Sequence, residues 1–234
     1  MTSADRPEWT VPAPAGGWAP PWPQTAELAR AIPSETVDTS RRVDGAAARR
    51  ARRSTLEPTH SRYRPTVDVD MVLHIETGAT TFPDVRDKLE DLGYEIQMPA
   101  GDGPVHRFTR HNSEQQVGVM VADNLSPRFR PTVKGRPVFG IPAGTSALQK
   151  TVNCEIDVNG TTTRLSVPTV LGALVLKGEA YRQDDRDRDR HLDDAAILAC
   201  AIVNPVTERN SCTRASAASA DPLRYLSLMR YQRH

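Results

Sequence analysis

Cysteine is scarce in this 234-residue chain: only Cys154, Cys200 and Cys212 occur. Their number is odd and their spacing matches no metal or redox motif. That excludes a disulfide framework and a zinc module, and it points to a reducing cytoplasm. No run of 18 apolar residues exists, so no membrane-spanning helix is expected. The first 20 residues lack the basic-then-apolar pattern of a signal peptide, which fits a soluble cytoplasmic protein with no membrane partner. Histidines are few as well, and His74, His106 and His191 stand singly with no ligand spacing. Net charge is only +1, which argues against the whole chain acting as a polyanion binder.

The charge is unevenly spread, however. Residues 41–64 carry eight arginines against Asp44 and Glu57, and no aromatic residue lies between Arg41 and Arg62 to stack on a base. Clustered arginines neutralise phosphates, so a nucleic-acid arm is one reading of this tract and disorder is another. Residues 1–24 are rich in proline and glycine without a period, which reads as a disordered or extended tail. A short helix is expected at Thr25–Pro33, where Leu28 and Ile32 lie four apart.

Order resumes at VDVDMVLHI. Strand alternation puts Val67, Val69, Met71, Leu73 and Ile75 on one face and Asp68, Asp70, Val72 and His74 on the other. TFPDVRDKLEDLG then predicts a helix through Val85, Leu89 and Leu92, stopped by Gly93. Strands are expected at 94–98, 105–111 and 115–123, and Asn159-Gly160 marks a hairpin between two strand-like runs. From Val167 onward the pattern turns helical, with helices at 167–182, 191–202 and 222–229. Strands precede helices, so the chain should be α+β, a mixed β-sheet with flanking helices and a C-terminal helical section. The expected division is a tail over 1–35, an α/β domain over 36–166 and the helical section over 167–234.

Asp68 and Asp70 are the sharpest chemical signal. Two carboxylates at i and i+2 on one strand point the same way, with Cβ atoms ~6–7 Å apart from the strand rise. That separation suits magnesium, which takes a few carboxylate oxygens and completes its shell with substrate phosphate. The ordinary alternative is an edge strand whose polar face meets water. A second group lies in LKGEAYRQDDRDRDRHLDDAAIL: Lys177, Arg182, Arg190 and Asp194. A lysine there could reach a phosphate as a point charge, and a solvated charge run is the alternative.

TVDVDMVL, followed roughly 100 residues later by LGALVLKGEAYR and RHLDDAAIL, resembles the nucleotidyltransferase-fold family of AbiEii and MenT type, toxin-like bacterial proteins. The resemblance covers about residues 60–203. The family pattern is a Gly-Gly or Gly-Ser turn, then [ST]xDxD, a third acid on a later strand, a helix lysine and a final aspartate. By position it implies that Asp68 and Asp70 hold Mg²⁺, and that Lys177 and Asp194 complete the catalytic set. It also places Gly45, Thr66, Lys177, Arg182 and Arg190 around the nucleotide. The implied chemistry is in-line attack by an RNA (tRNA-like) or protein hydroxyl on the α-phosphorus of an NTP, releasing pyrophosphate. A cognate antitoxin is a further implied partner.

Two departures bear on activity. The third-acid strand reads Val117-Gly118-Val119, and Gly118 cannot bind a metal. Asp123 is five residues on and of opposite strand parity. The expected first strand and glycine turn are replaced by VDTSRRVDGAAAR, with Gly45 as its lone glycine. With suitable codons that stretch, read one nucleotide later, encodes WTLVGGLMVQLH, an apolar strand with a Gly-Gly turn. Resequencing the gene tests this frame reading. The alternative function is therefore a catalytically impaired member that binds nucleotide or RNA without turnover.

Overall fold

The computed structural model describes residues 6–32, 37–38, 68–78, 80–185, 188–211 and 225–226. Among them the elements run, in order, β1 (Glu8–Val11), α1 (Trp22–Ala31), β2 (Val37–Asp38), β3 (Asp68–Leu73), α2 (Phe82–Asp91), β4 (Tyr94–Gln97), β5 (Arg107–Arg110) and β6 (Gln116–Ala122). There follow β7 (Thr132–Val133), β8 (Arg136–Pro137), β9 (Gly140–Ile141), α3 (Gly144–Leu148), β10 (Thr151–Val158), β11 (Thr161–Pro168), α4 (Val170–Gln183), α5 (Arg188–Ala199) and α6 (Pro205–Ser211). The expected α+β class, with mixed sheets and flanking helices, is what the chain adopts.

The larger sheet has the order β2-β3-β6-β5-β4, with β9 joined to β6. β3 runs parallel to β6 and β6 parallel to β9, while β2–β3, β4–β5 and β5–β6 are antiparallel. Alternation in β3 works as its sequence dictates: Val69, Met71 and Leu73 are buried, and Asp68 and Asp70 are half-buried on the other face. α2 closes the apolar face with Phe82, Val85 and Leu89. Its start is set by a capping box, in which Asp84 N donates to Thr81 Oγ1 and Thr81 N donates to Asp84 Oδ2. Gly93, at φ +82°, supplies the left-handed residue that ends it.

A second core forms around the smaller sheet, β1-β10-β11. Asn159 and Gly160, at φ +57° and +77°, make the tight turn that their sequence announces. Val152, Cys154, Ile156, Leu165 and Val167 pack against Val170, Ala173, Ile197 and Leu198 of α4 and α5. The boundary drawn from the sequence between residues 166 and 167 therefore falls inside one packed unit.

The expected tail is corrected by the structure from Arg6 onward. β1 pairs in parallel with β10, and Trp9 and Val11 alternate into the second core. Proline-rich flanks mask a short edge strand, the place where prolines are tolerated because only one side of the backbone is paired. α1 starts a turn earlier than Thr25, and it links the two cores. Trp22 and Ala26 belong to the second, Leu28 and Ile32 to the first. Arg110 on β5 fastens it further, gripping Glu27 with two hydrogen bonds of 2.9 and 3.0 Å. α6 has no counterpart among the expected helices; Asn204 caps it, its Oδ1 accepting from Val206 N and Thr207 N. Of the helix expected at 222–229, the described residues Tyr225 and Leu226 are helical and buried. Among the described residues no helix is long and apolar enough to cross a membrane.

Candidate functional site

The register of the larger sheet decides what surrounds the aspartates. Asp68 stands opposite Gln116 and Asp70 opposite Gly118 on β6. On the far side of β6, Thr109 is opposite Gln116 and Arg107 opposite Gly118. Paired residues share a face, so Asp70, Gly118 and Arg107 form one row across three strands. Arg107 is exposed at its end.

Gly118 is tightly coupled to Asp70. A Cβ on Gly118 would overlap Asp70 Oδ1 and lie 3.3 Å from its Cγ. The Asp70 carboxylate therefore leans across the space that a side chain at 118 would fill. An acid there would collide with Asp70 as it now lies.

Asp123 does not supply the absent acid. Its Oδ2 accepts from Ala143 N at 2.9 Å and its Oδ1 from Thr145 N at 2.8 Å. Those amide bonds hold its carboxyl below the ordinary range against the opposing effect of burial. The residue latches the start of α3 to the end of β6, ~16 Å along the strand from Gly118. Close by, a cleft of about 430 Å³ is lined by Leu125, Arg130, Val138 and Phe139.

Lys177 and Asp194 do come together. Lys177 Nζ donates to Asp194 Oδ2 at 2.6 Å, with the residues only 6% and 4% exposed. Burial pushes the Asp194 carboxyl up and the Lys177 ammonium works against it. Asp194 Oδ1 and His191 Nδ1 are buried with no hydrogen-bond partner among the described residues. His191 Nε2 lies 3.0 Å from Asp184 Oδ2, and Arg190 reaches the same oxygen at 3.5 Å. Desolvation lowers the His191 pKa, partly countered by Asp184. Arg182, by contrast, is exposed beside Glu179.

The sequence-derived residues thus fall into two described groups: Asp68 and Asp70 on the larger sheet, and Lys177, Arg190 and Asp194 between α4 and α5. Gly45 and Thr66 lie outside the described residues. Asp184 and His191 join the second group unannounced, because composition cannot tell which acid of a DDRDRDR run turns inward. Arg107 escapes sequence reasoning for another reason. Its strand is legible, but only the pairing with β6 places it beyond Gly118.

No family model matches the chain, and no curated protein matches it. Among solved structures, the chain is similar to an antigenic nucleotidyltransferase-like protein from Paracoccidioides brasiliensis. The two share 18% identity over 82% of this chain and 84% of that one, with a TM-score of 0.40. A likeness at that level assigns no activity, and the functional reading rests on the residues themselves.

Proposed function

We propose that the chain is a nucleotidyltransferase-like protein that binds an NTP with Mg²⁺ at Asp68 and Asp70 and moves a nucleotide to an RNA (tRNA-like) or protein hydroxyl. One observation carries this reading: two half-buried carboxylates share a face at the start of a β-strand, one of them leaning over a glycine that makes room for it. Among the described residues no three His, Cys, Asp or Glu side chains cluster as a metal cage. A pair of carboxylates fits Mg²⁺ nonetheless, since that ion keeps water and takes phosphate oxygens in its remaining positions.

When bound, the ion would neutralise charge on the phosphate oxygens. Asp68 and Asp70 would hold it, with the Asp70 carboxylate lying over Gly118. Catalysis of this kind is chiefly positioning and charge compensation. The toxin-like AbiEii or MenT assignment, a tRNA acceptor and a cognate antitoxin extend the same proposal and rest on the sequence motifs alone.

A second reading has a specific observation behind it. With Gly118 in the third-acid position and Asp123 engaged by backbone amides, no described acid completes the set. On that reading the protein binds nucleotide without turning it over. Incubation with Mg²⁺, each labelled NTP and total tRNA, beside an Asp68→Ala/Asp70→Ala variant, separates the two. Label transfer lost in the variant supports the enzyme. Mg-dependent nucleotide binding with no transfer supports the binder, and transfer that survives in the variant removes these aspartates from the chemistry.

A further inference from the structure

The row Asp70–Gly118–Arg107 offers more than a metal site. β3 and β5 lie two strand spacings apart, ~10 Å, with β6 between them. Between Asp70 and Arg107 the row holds only a glycine, so the lane between the acid and the base is left to the Asp70 carboxylate itself. The Asp70 carboxylate leans into that lane, taking the place that a Cβ at 118 would occupy. On the other side, Arg107 is exposed and makes no ion pair with any described carboxylate. Gln97, opposite Arg107 on β4, extends the row with a neutral polar side chain.

Two other cations, one on the sheet and one in the motif, are committed elsewhere. Arg110, three residues on and of opposite parity, is bound to Glu27 on the apolar side. Lys177, the cation that the sequence pattern assigns to phosphate, is held by Asp194 in a buried pair. Arg107 is thus a cation on the aspartate face with its guanidinium uncommitted among the described residues. Guanidinium donates in a planar fork that matches two phosphate oxygens at once. A cation-bound polyphosphate at Asp68 and Asp70 carries excess negative charge away from the metal, and the lane over Gly118 leads from one to the other.

We propose that Arg107 is the phosphate-binding residue of this site, gripping the NTP polyphosphate from the β5 side of Gly118. The assignment rests on the nucleotide reading above. It gives Gly118 one role, leaving room for the Asp70 carboxylate to lean toward Arg107.

Equilibrium dialysis of labelled ATP, GTP, CTP and UTP with Mg²⁺ tests it, using the full chain and its Arg107→Gln, Arg107→Lys, Gly118→Ala and Arg86→Gln variants. Arg86, paired with Asp87 and Glu90 on α2, is the control for loss of one surface charge. Arg107→Gln should weaken the best-bound NTP about tenfold to a hundredfold, the range of a charge-assisted contact, and leave the thermal midpoint unchanged. Arg107→Lys should recover part of that loss, and Arg86→Gln should bind as wild type does. Gly118→Ala should weaken both the NTP and Mn²⁺ alone, the latter read by electron paramagnetic resonance of free Mn²⁺. Mg-dependent binding that is unchanged in Arg107→Gln overturns the Arg107 assignment and leaves the nucleotide reading standing. A wild-type chain that binds no NTP overturns both.

Discussion

Lys177 Nζ lies 2.6 Å from Asp194 Oδ2 in a nearly solvent-free contact between α4 and α5. Removing one partner of such a pair strands the other charge, which costs about 3–5 kcal/mol, whereas replacing both with apolar residues of similar volume is often neutral. Lys177→Met and Asp194→Leu should each lower the urea midpoint sharply, and the double variant should recover most of the loss. Equal losses that simply add would show that the pair is not a unit. Loss of NTP binding in the stable double variant would return Lys177 to the phosphate role that its sequence context gives it.

Two glycines of α4 make opposite predictions. A Cβ on Gly172 would meet the Lys150 carbonyl oxygen at 2.6 Å, backbone that cannot rotate away. Gly178, in the same helix, has open space around it. Alanine is favoured over glycine inside a helix by about 1 kcal/mol, so Gly178→Ala should stabilise by that order. Gly172→Ala should instead destabilise by about 1–3 kcal/mol through the forced shift. Urea unfolding of the two variants reads both signs, and a stabilised Gly172→Ala would contradict the α4 packing.

Trp9 marks the clearest gap between sequence and structure. In sequence it sits among prolines and glycines with no period. In the fold it is 5% exposed, edge-on to Tyr225 with ring centres 6.0 Å apart. Trp9→Ala should cost about 3–5 kcal/mol, the range of a large core deletion. A change of a few tenths in the unfolding free energy would restore the reading of this segment as a tail.

His74 sets a pH dependence. The guanidinium of Arg6 can only donate, so the imidazole accepts at Nε2 across 3.2 Å and stays neutral. Burial, with Arg6 adding to it, lowers its pKa from 6.5 to about 4. In the unfolded chain it protonates near 6.5 and in the fold only near 4, so its contribution to stability is complete above 6.5. It falls away as the pH drops through that window, by on the order of 3 kcal/mol in all. His74→Gln should flatten this part of the urea-midpoint profile. An unchanged slope between pH 6.5 and 4 would place the titration elsewhere.

Much of the fold can be read directly, because local pattern and tertiary role agree. VDVDMVL alternates and is a strand; TFPDVRDKLEDLG carries its own cap and stop; Asn159-Gly160 turns a hairpin. The Asp68–Asp70 pair is legible for the same reason, being a property of one strand. What stays hidden depends on which strands become neighbours. Asp70, Gly118 and Arg107 are 48 and 11 residues apart along the chain, and only the pairing of β6 with β3 and β5 aligns them. β1 is hidden because a four-residue edge strand has too little pattern to stand out against flanking prolines.

Whether Asp68 and Asp70 hold a metal-bound nucleotide is decided by Mg-dependent NTP binding to the wild-type chain and to Asp68→Ala/Asp70→Ala. Equilibrium dialysis reads the binding, with unfolding midpoints taken alongside. The expected result is saturable binding of at least one NTP that requires Mg²⁺ and disappears in the double variant while its midpoint stays near wild type. Binding that survives loss of both carboxylates, or that no NTP shows with Mg²⁺ present, would contradict it.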